Sequence, residues 1–367
     1  MKKLFVLIIA IFFTSISLTA YSDTHTWDGG GADNNWATAA NWASNVAPSN
    51  YDALTFAGTT RLTPYNNTLF NNIYGPITFT STGFDVSSRV EGINVISGIT
   101  NNAGLTNTIS ATNVYLENSQ SFTNNGTSLT FSGTVYAINE AYALTVDGLG
   151  ATSMNKIIGA SGGSLVKSGN GTLTVTGNCY YTGTTSIDVG TLIIDNDNSE
   201  SASTINNTGT LGGGGTVGTV TIDTGGTISP GTGDLATLTS AGQRWNNGGN
   251  YAWGVNDSDC DLLSIGGALN LGFLTTNFTI EITGDPVSFQ TWTIANFTSL
   301  TGDFDAGEFT LDNQTGVAGD WSLAYNAGNT SLDLTCVPEP STYALFGIGI
   351  FGLIIGWMRK NAISRKP

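Results

Sequence analysis

Residues 165–242 read LVKSGNGTLTVTGNCYYTGTTSIDVGTLIIDNDNSESASTINNTGTLGGGGTVGTVTIDTGGTISPGTGDLATLTSAG, and this stretch decides the fold. A Gly-Thr-Leu/Ile unit opens at Gly171, Gly190, Gly209 and Gly226, at intervals of 19, 19 and 17 residues. Short alternating segments start in or lie beside these units: Leu173-Thr174-Val175, Leu192-Ile193-Ile194 and Val220-Thr221-Ile222. Alternation of apolar and β-branched polar residues is the period of a strand. Glycine pairs punctuate the segments and permit turns with positive φ. Self-similarity at a period of about 20 residues is the signature of a β-solenoid.

The physical reason is that one unit carries a single narrow row of Leu, Ile and Val and cannot bury it alone. Stacking units at about 4.8 Å pairs every backbone edge and aligns the apolar rows into one core. A β-sandwich also offers many short strands joined by turns. The visible repeat favours the parallel β-helix, and the expected fold class is all-β.

The same stretch resembles the autotransporter-associated β-strand repeat of exported bacterial β-helix proteins. The residues that carry the resemblance are Lys167-Ser168-Gly169, Gly171-Thr172-Leu173, Tyr181-Thr182-Gly183 and Gly190-Thr191-Leu192.

Composition narrows the function classes. The chain has 367 residues with 40% apolar content, so it is not disordered by composition. Six of its eleven basic residues lie at the ends: Lys2, Lys3, Arg359, Lys360, Arg365 and Lys366. Between positions 23 and 337, only Arg61, Arg89, Lys156, Lys167 and Arg244 stand against 26 acidic residues, a net charge near −21. Such a field argues against nucleic acid and anionic lipid surfaces as partners. Cys179, Cys260 and Cys336 are odd in number and form no C-x-x-C pair, which argues against a disulfide framework and a zinc site. His25 is the only histidine, so no centre built from several histidines is available.

In chain order, residues 1–22 read as a signal peptide. Lys2 and Lys3 precede an apolar run from Leu4 to Leu18, and Ala20-Tyr21-Ser22 offers a small-residue cleavage site. An uncleaved N-terminal anchor is the alternative. Residues 23–58 hold Trp27, Trp36 and Trp42. They read as a cap over the first rung, which every solenoid needs; a sugar-stacking platform is the second reading. Similar W…NW…NW openings occur in exported proteins with the same repeat. Leu54-Thr55-Phe56, Ile77-Thr78-Phe79 and Leu129-Thr130-Phe131 look like copies of one triplet in degenerate rungs, so the solenoid is expected over 23–242. Residues 243–336 lose the Gly-Thr-Leu unit and gain Trp245, Trp253, Trp292 and Trp321. They are expected to form a terminal β region, either broad final rungs or a sheet folded over the open end.

Residues 337–367 hold the sharpest motif. Pro338, Glu339 and Pro340 precede the apolar run Tyr343–Met358, expected to be a transmembrane helix, and Arg359 and Lys360 follow as a membrane stop. The two prolines keep the backbone out of helix, and the basic tail is expected to stay in the cytoplasm. This segment resembles the PEP-CTERM sorting domain of Gram-negative bacteria. The resemblance implies a transient inner-membrane anchor and an exosortase-type sorting enzyme as partner. An ordinary single-pass anchor is the alternative.

Candidate chemistry is sparse. Sugar-cleaving β-helices need clustered carboxylates or carboxylates with Arg or Lys, and the acids here are mostly single. Asp195, Asp197 and Glu200 form one group; Asp257, Asp259 and Asp261 form another. The second group could ligate Ca²⁺ through alternate oxygens, but it lacks the Gly and distal Glu of an EF-hand loop. It reads better as a solvated turn, with no metal and no cofactor. No nucleophile elbow or phosphate-binding loop is present. The expectation is a non-enzymatic, exported solenoid of the cell surface or extracellular matrix, serving adhesion or biofilm structure. A polysaccharide-degrading or sugar-binding β-helix is the rival, and an extracellular polysaccharide remains an open partner.

Overall fold

The computed structural model describes residues 23–338, apart from 70, 138–140, 160–161, 285–288 and 316–318. The expected signal peptide, Glu339, Pro340, the helix 343–358, Arg359 and Lys360 lie outside the described residues, as does the side chain of Pro338.

The chain winds as a parallel β-solenoid with three strand-bearing faces. The first face begins with Thr24–Trp27, Ala53–Phe56, Ile77–Phe79 and Ile99–Asn101, each parallel to the last. The second begins with Tyr65–Asn66, Asp85–Ser88 and Thr106–Ile109. The third begins with Ile73–Tyr74, Ile93–Val95 and Asn113–Leu116. Some strands turn a corner without ending. Thr185–Ile194 bends at an irregularity between Ile187 and Val189, so its start lies on the first face and its end on the second. Apart from two three-residue 3-10 turns, Ala39–Asn41 and Ala306–Glu308, the described residues hold no helix.

The repeat read from sequence is the rung itself. Thr172 pairs with Thr191, Thr191 with Thr210 and Thr210 with Thr227. Their neighbours Leu173, Leu192, Leu211 and Ile228 point inward and are wholly buried. Full burial of such a side chain contributes about 1.5–3 kcal/mol. The Leu-Thr-Phe triplets divide between two faces: Leu54–Phe56 stacks on Ile77–Phe79, whereas Leu129–Phe131 stacks on Asn107–Ile109 of the second face. Triplet identity therefore marks inward-outward-inward alternation rather than one column.

Parallel pairing continues past position 242. Thr216–Ile222 pairs with Thr237–Trp245, Asn250–Val255 with Phe278–Gly284, and the latter with Phe309–Asn313. The third face then changes hand of pairing. Ser331–Pro338 lies antiparallel to Thr291–Asn296, and Gly319–Asn326 adds antiparallel outside it. Residues 243–338 thus contain both broad rungs and a folded-back hairpin.

At the N-terminal end, Trp27, Trp36 and Trp42 are fully buried. Trp27 and Trp36 each meet Trp42 edge-on, at ring centroids of 5.2 and 6.2 Å, and Phe56 packs beneath all three. The Trp42 indole N–H donates to the Trp36 carbonyl at 2.8 Å. No ring among the three presents a face to solvent, which removes the sugar-stacking reading for them.

A charge in the stacked row has no partner in an apolar core and costs several kcal/mol. Leu192→Asp is therefore expected to lower the melting temperature by more than about 10 °C in a circular dichroism melt. Thr191→Asp, one residue away but facing outward, is expected to leave it nearly unchanged.

Candidate functional site

Three features of the described chain bear on function: the exit strand, the acidic turn and the buried polar groups.

The strand Ser331–Pro338 delivers the chain to the motif beginning at Val337. It is held on both sides, with Asp320 paired to Val337 and Gly319 to Pro338 on one, and Thr291 to Thr335 on the other. Hydroxyls of Thr291 and Thr335 lie 2.8 Å apart, and Cys336 N–H donates to the Gln290 carbonyl. Leu332 and Leu334 are buried, while Val337 is 43% exposed. The chain thus leaves the body from a paired strand, and Pro338 is its last described residue.

The acidic turn divides. Asp257 and Asp259 are exposed, whereas Asp261 is 4% exposed and turned inward. One Asp261 carboxylate oxygen accepts from Ala236 N–H and the other from Gly254 N–H, both at 2.8 Å. Its backbone carbonyl accepts from the Trp253 indole at 2.8 Å. Burial pushes its carboxyl up to about 6 against the relief of these two N–H donors. Only two of the three acids therefore fit the solvated turn read from sequence; the third is a structural clamp between rungs. Among the described residues, no group of three or more His, Cys, Asp or Glu side chains is arranged to hold a metal ion.

Several buried polar groups were not legible in the sequence. Lys167 occupies the inward row of the first face, between Val146 and Ile187, and is 1% exposed. Its ammonium donates to the carbonyls of Ser168 at 2.7 Å, Gly169 at 2.8 Å and Val189 at 3.3 Å. Burial lowers its pKa to about 8, opposed by the Asp147 charge. In earlier rungs the same corner is closed by amides. Asn107 Nδ2 donates to Asn101 Oδ1, and Asn101 Nδ2 to Asn124 Oδ1, each at 2.9 Å. Asn101 and Asn124 also bond the Ser128 and Ala151 carbonyls. A further buried network links Tyr181, Thr185, Ser201 and Asn198 through contacts of 2.7–3.0 Å. On the first strand, His25 Nε2 lies 3.0 Å from Asp52 Oδ2, and Nδ1 lies 3.0 Å from the Val46 carbonyl. The signal that could have found Lys167 and the asparagines is register: Lys167 stands between Val146 and Ile187, Asn107 beside Leu129, and the stacked pair Asn101 and Asn124 between Phe79 and Gly148.

A cleft of about 720 Å³ opens beside the last rungs, lined by Leu300, Asp303, Phe304, Leu323 and Tyr325 among others. It carries one carboxylate and no cation.

Comparison with known proteins bears on both resemblances. Residues 337–360 match the PEP-CTERM protein-sorting motif. A stretch of 77 residues is 44% identical to the adhesin BmaC autotransporter of Brucella suis biovar 1 (strain 1330); it covers 20% of this chain and 2% of that protein. The chain therefore carries a PEP-CTERM sorting signal, and its repeat is akin to that of an autotransporter adhesin.

The raised Asp261 carboxyl fixes a sign for pH dependence. The folded state holds this proton more tightly than the unfolded chain, so the stabilisation is complete below about 4 and is lost as pH rises through about 6. Asp261→Asn is expected to flatten the fall in melting temperature between pH 4 and 6. An unchanged slope would show that Asp261 does not govern it.

Proposed function

We propose that this chain is a non-enzymatic structural or adhesive solenoid of the cell surface or extracellular matrix. An exosortase-type enzyme sorts it to that place through Pro338, Glu339 and Pro340. The observation that carries the proposal is the PEP-CTERM match at residues 337–360 directly behind a paired exit strand. That motif is the mark of an exported protein. The similarity to an adhesin supports attachment as the role of the body. A stacked body whose inward rows are apolar, with a single carboxylate in the cleft beside its last rungs, supports a non-enzymatic reading; acid–base cleavage of a glycoside ordinarily uses a pair of carboxyl groups.

Sorting follows from the order of segments. The apolar run 343–358 enters the bilayer, and Arg359 and Lys360 oppose passage. Pro338-Glu339-Pro340 then stands between membrane and body, extended because neither proline suits a helix interior. Cleavage there frees the solenoid from its transient inner-membrane anchor.

The test is expression in a host with the sorting enzyme and in one without it, followed by intact mass and membrane fractionation. Loss of the C-terminal segment is expected only where the enzyme is present. Glu339→Ala is expected to abolish processing while leaving membrane insertion intact. Full-length protein held in the inner membrane of both hosts would identify a plain anchor.

A further inference from the structure

The backbone nitrogen of Asp23 meets a buried acid. Asp52 stands just ahead of the strand Ala53–Phe56 and is 1% exposed. Its Oδ2 accepts from the Ser49 N–H at 2.7 Å and from the Ser49 hydroxyl at 3.0 Å, and lies 3.0 Å from His25 Nε2. Its Oδ1 accepts from the Asp23 nitrogen at 3.0 Å. The Asp23 carbonyl accepts from Ala53 N–H at 2.9 Å, and the pairing of Thr24 with Ala53 then opens the first strand pair. Asp23 is thus fixed through both its backbone groups, although the residue itself is exposed.

Two independent observations coincide at this nitrogen. Ala20 and Ser22 are small residues three positions and one position ahead of a cut that would fall before Asp23. The nitrogen such a cut would free is the one that already bonds the buried carboxylate. A carboxylate taken out of water needs hydrogen bonds and a compensating charge. An amide offers Oδ1 a dipole. An ammonium in the same place offers a full charge and a hydrogen bond about twice as strong. The site also lies against the tryptophan cluster. His25 meets Trp42 edge-on at 6.0 Å, and the strand that Asp23 leads carries Trp27, on which Trp42 and Phe56 pack.

We propose that export cleaves the bond between Ser22 and Asp23, and that the α-ammonium so released pairs with Asp52 and locks the first rung. Hydrolysis consumes one water. Its hydroxyl goes to the Ser22 carbonyl carbon and its remaining proton to the Asp23 nitrogen; a second proton from solvent completes the ammonium. The signal segment leaves with a new carboxylate. Processing is therefore a structural step as well as a release. It places a charge where stacking begins, and the ends of a repeat structure are where local opening costs least. This processing is separate from the sorting at the other end of the chain.

The test exports the full chain from a host that removes signal peptides and reads the N-terminus by intact mass and terminal sequencing. Asp23 is expected as the first residue. Hydrogen exchange then follows the amides of residues 24–27. A second chain carries one leucine inserted between Ser22 and Asp23. Leucine is too large for the position before a cut, so cleavage stays after Ser22 and the Asp23 nitrogen remains an amide. Exchange at 24–27 is expected to be about tenfold faster in that chain, equivalent to ~1.4 kcal/mol. In an Asp52→Asn background the same insertion is expected to change exchange little, because the charge it would separate is gone. A processed chain that starts elsewhere, or a retained signal segment, overturns the proposal. Equal exchange with and without the inserted leucine also overturns it and leaves Asp52 as an anchor for the Ser49 turn and His25 alone. Should Asp52→Asn fail to fold, the insertion by itself decides.

Discussion

The corner between the first and second faces governs the whole winding. At each rung the chain must reverse course where neighbouring turns stack directly on one another. Gly148, Gly169 and Gly190 take that corner with φ of +106°, +72° and +72°, a region that L side chains avoid. A Cβ at Gly190 would fall on the Gly169 and Gly171 carbonyl oxygens and on the Lys167 ammonium. The tight path aims backbone carbonyls into the interior, where each unpaired one would cost a lost hydrogen bond. Asn101 and Asn124 supply donors in the early rungs, and Lys167 supplies three at the rung where the regular repeat begins. With these carbonyls satisfied, both adjoining faces keep register and their Leu and Ile rows close.

Lys167 shows what periodicity reveals and what it hides. The spacing of Gly171, Gly190, Gly209 and Gly226 exposes the rung because each rung solves the same steric problem at the same place. Inward rows were legible from alternation, and Trp27 proves to close one of them, on the first strand of the first face. A lysine in a motif reads as surface, however, since burying an ammonium is costly without donors' partners, and those partners here are backbone carbonyls invisible in sequence. The same holds for Asp261, whose two partners are the N–H groups of Ala236 and Gly254 on neighbouring segments. The Leu129-Thr130-Phe131 triplet lies in a rung, as its pattern indicates, but a three-residue pattern records inside and outside and not which face: it stacks on the second face, Leu54–Phe56 on the first.

The distribution of charge and order separates two tasks. The solenoid carries most of the acids, dispersed and outward apart from the buried Asp52 and Asp261, and keeps its few cations apart: Lys167 inside, Lys156 over Tyr180 and Arg244 over Phe273. The C-terminal segment holds the sorting motif and the basic tail. The hairpin 319–338 lies between the two and turns the third face antiparallel, which ends parallel stacking there.

The central claim is that successive Gly-Thr-Leu units stack in register on one face. Paired cysteines test it directly, because a disulfide needs Cα atoms within about 7 Å and adjacent rungs stand about 4.8 Å apart. Thr191→Cys with Thr210→Cys should cross-link rapidly under mild oxidation of the folded chain, as peptide mass mapping would reveal, while Thr172→Cys with Thr210→Cys, two rungs apart, should not. Equal cross-linking of both pairs, or of neither, would contradict the stacked register.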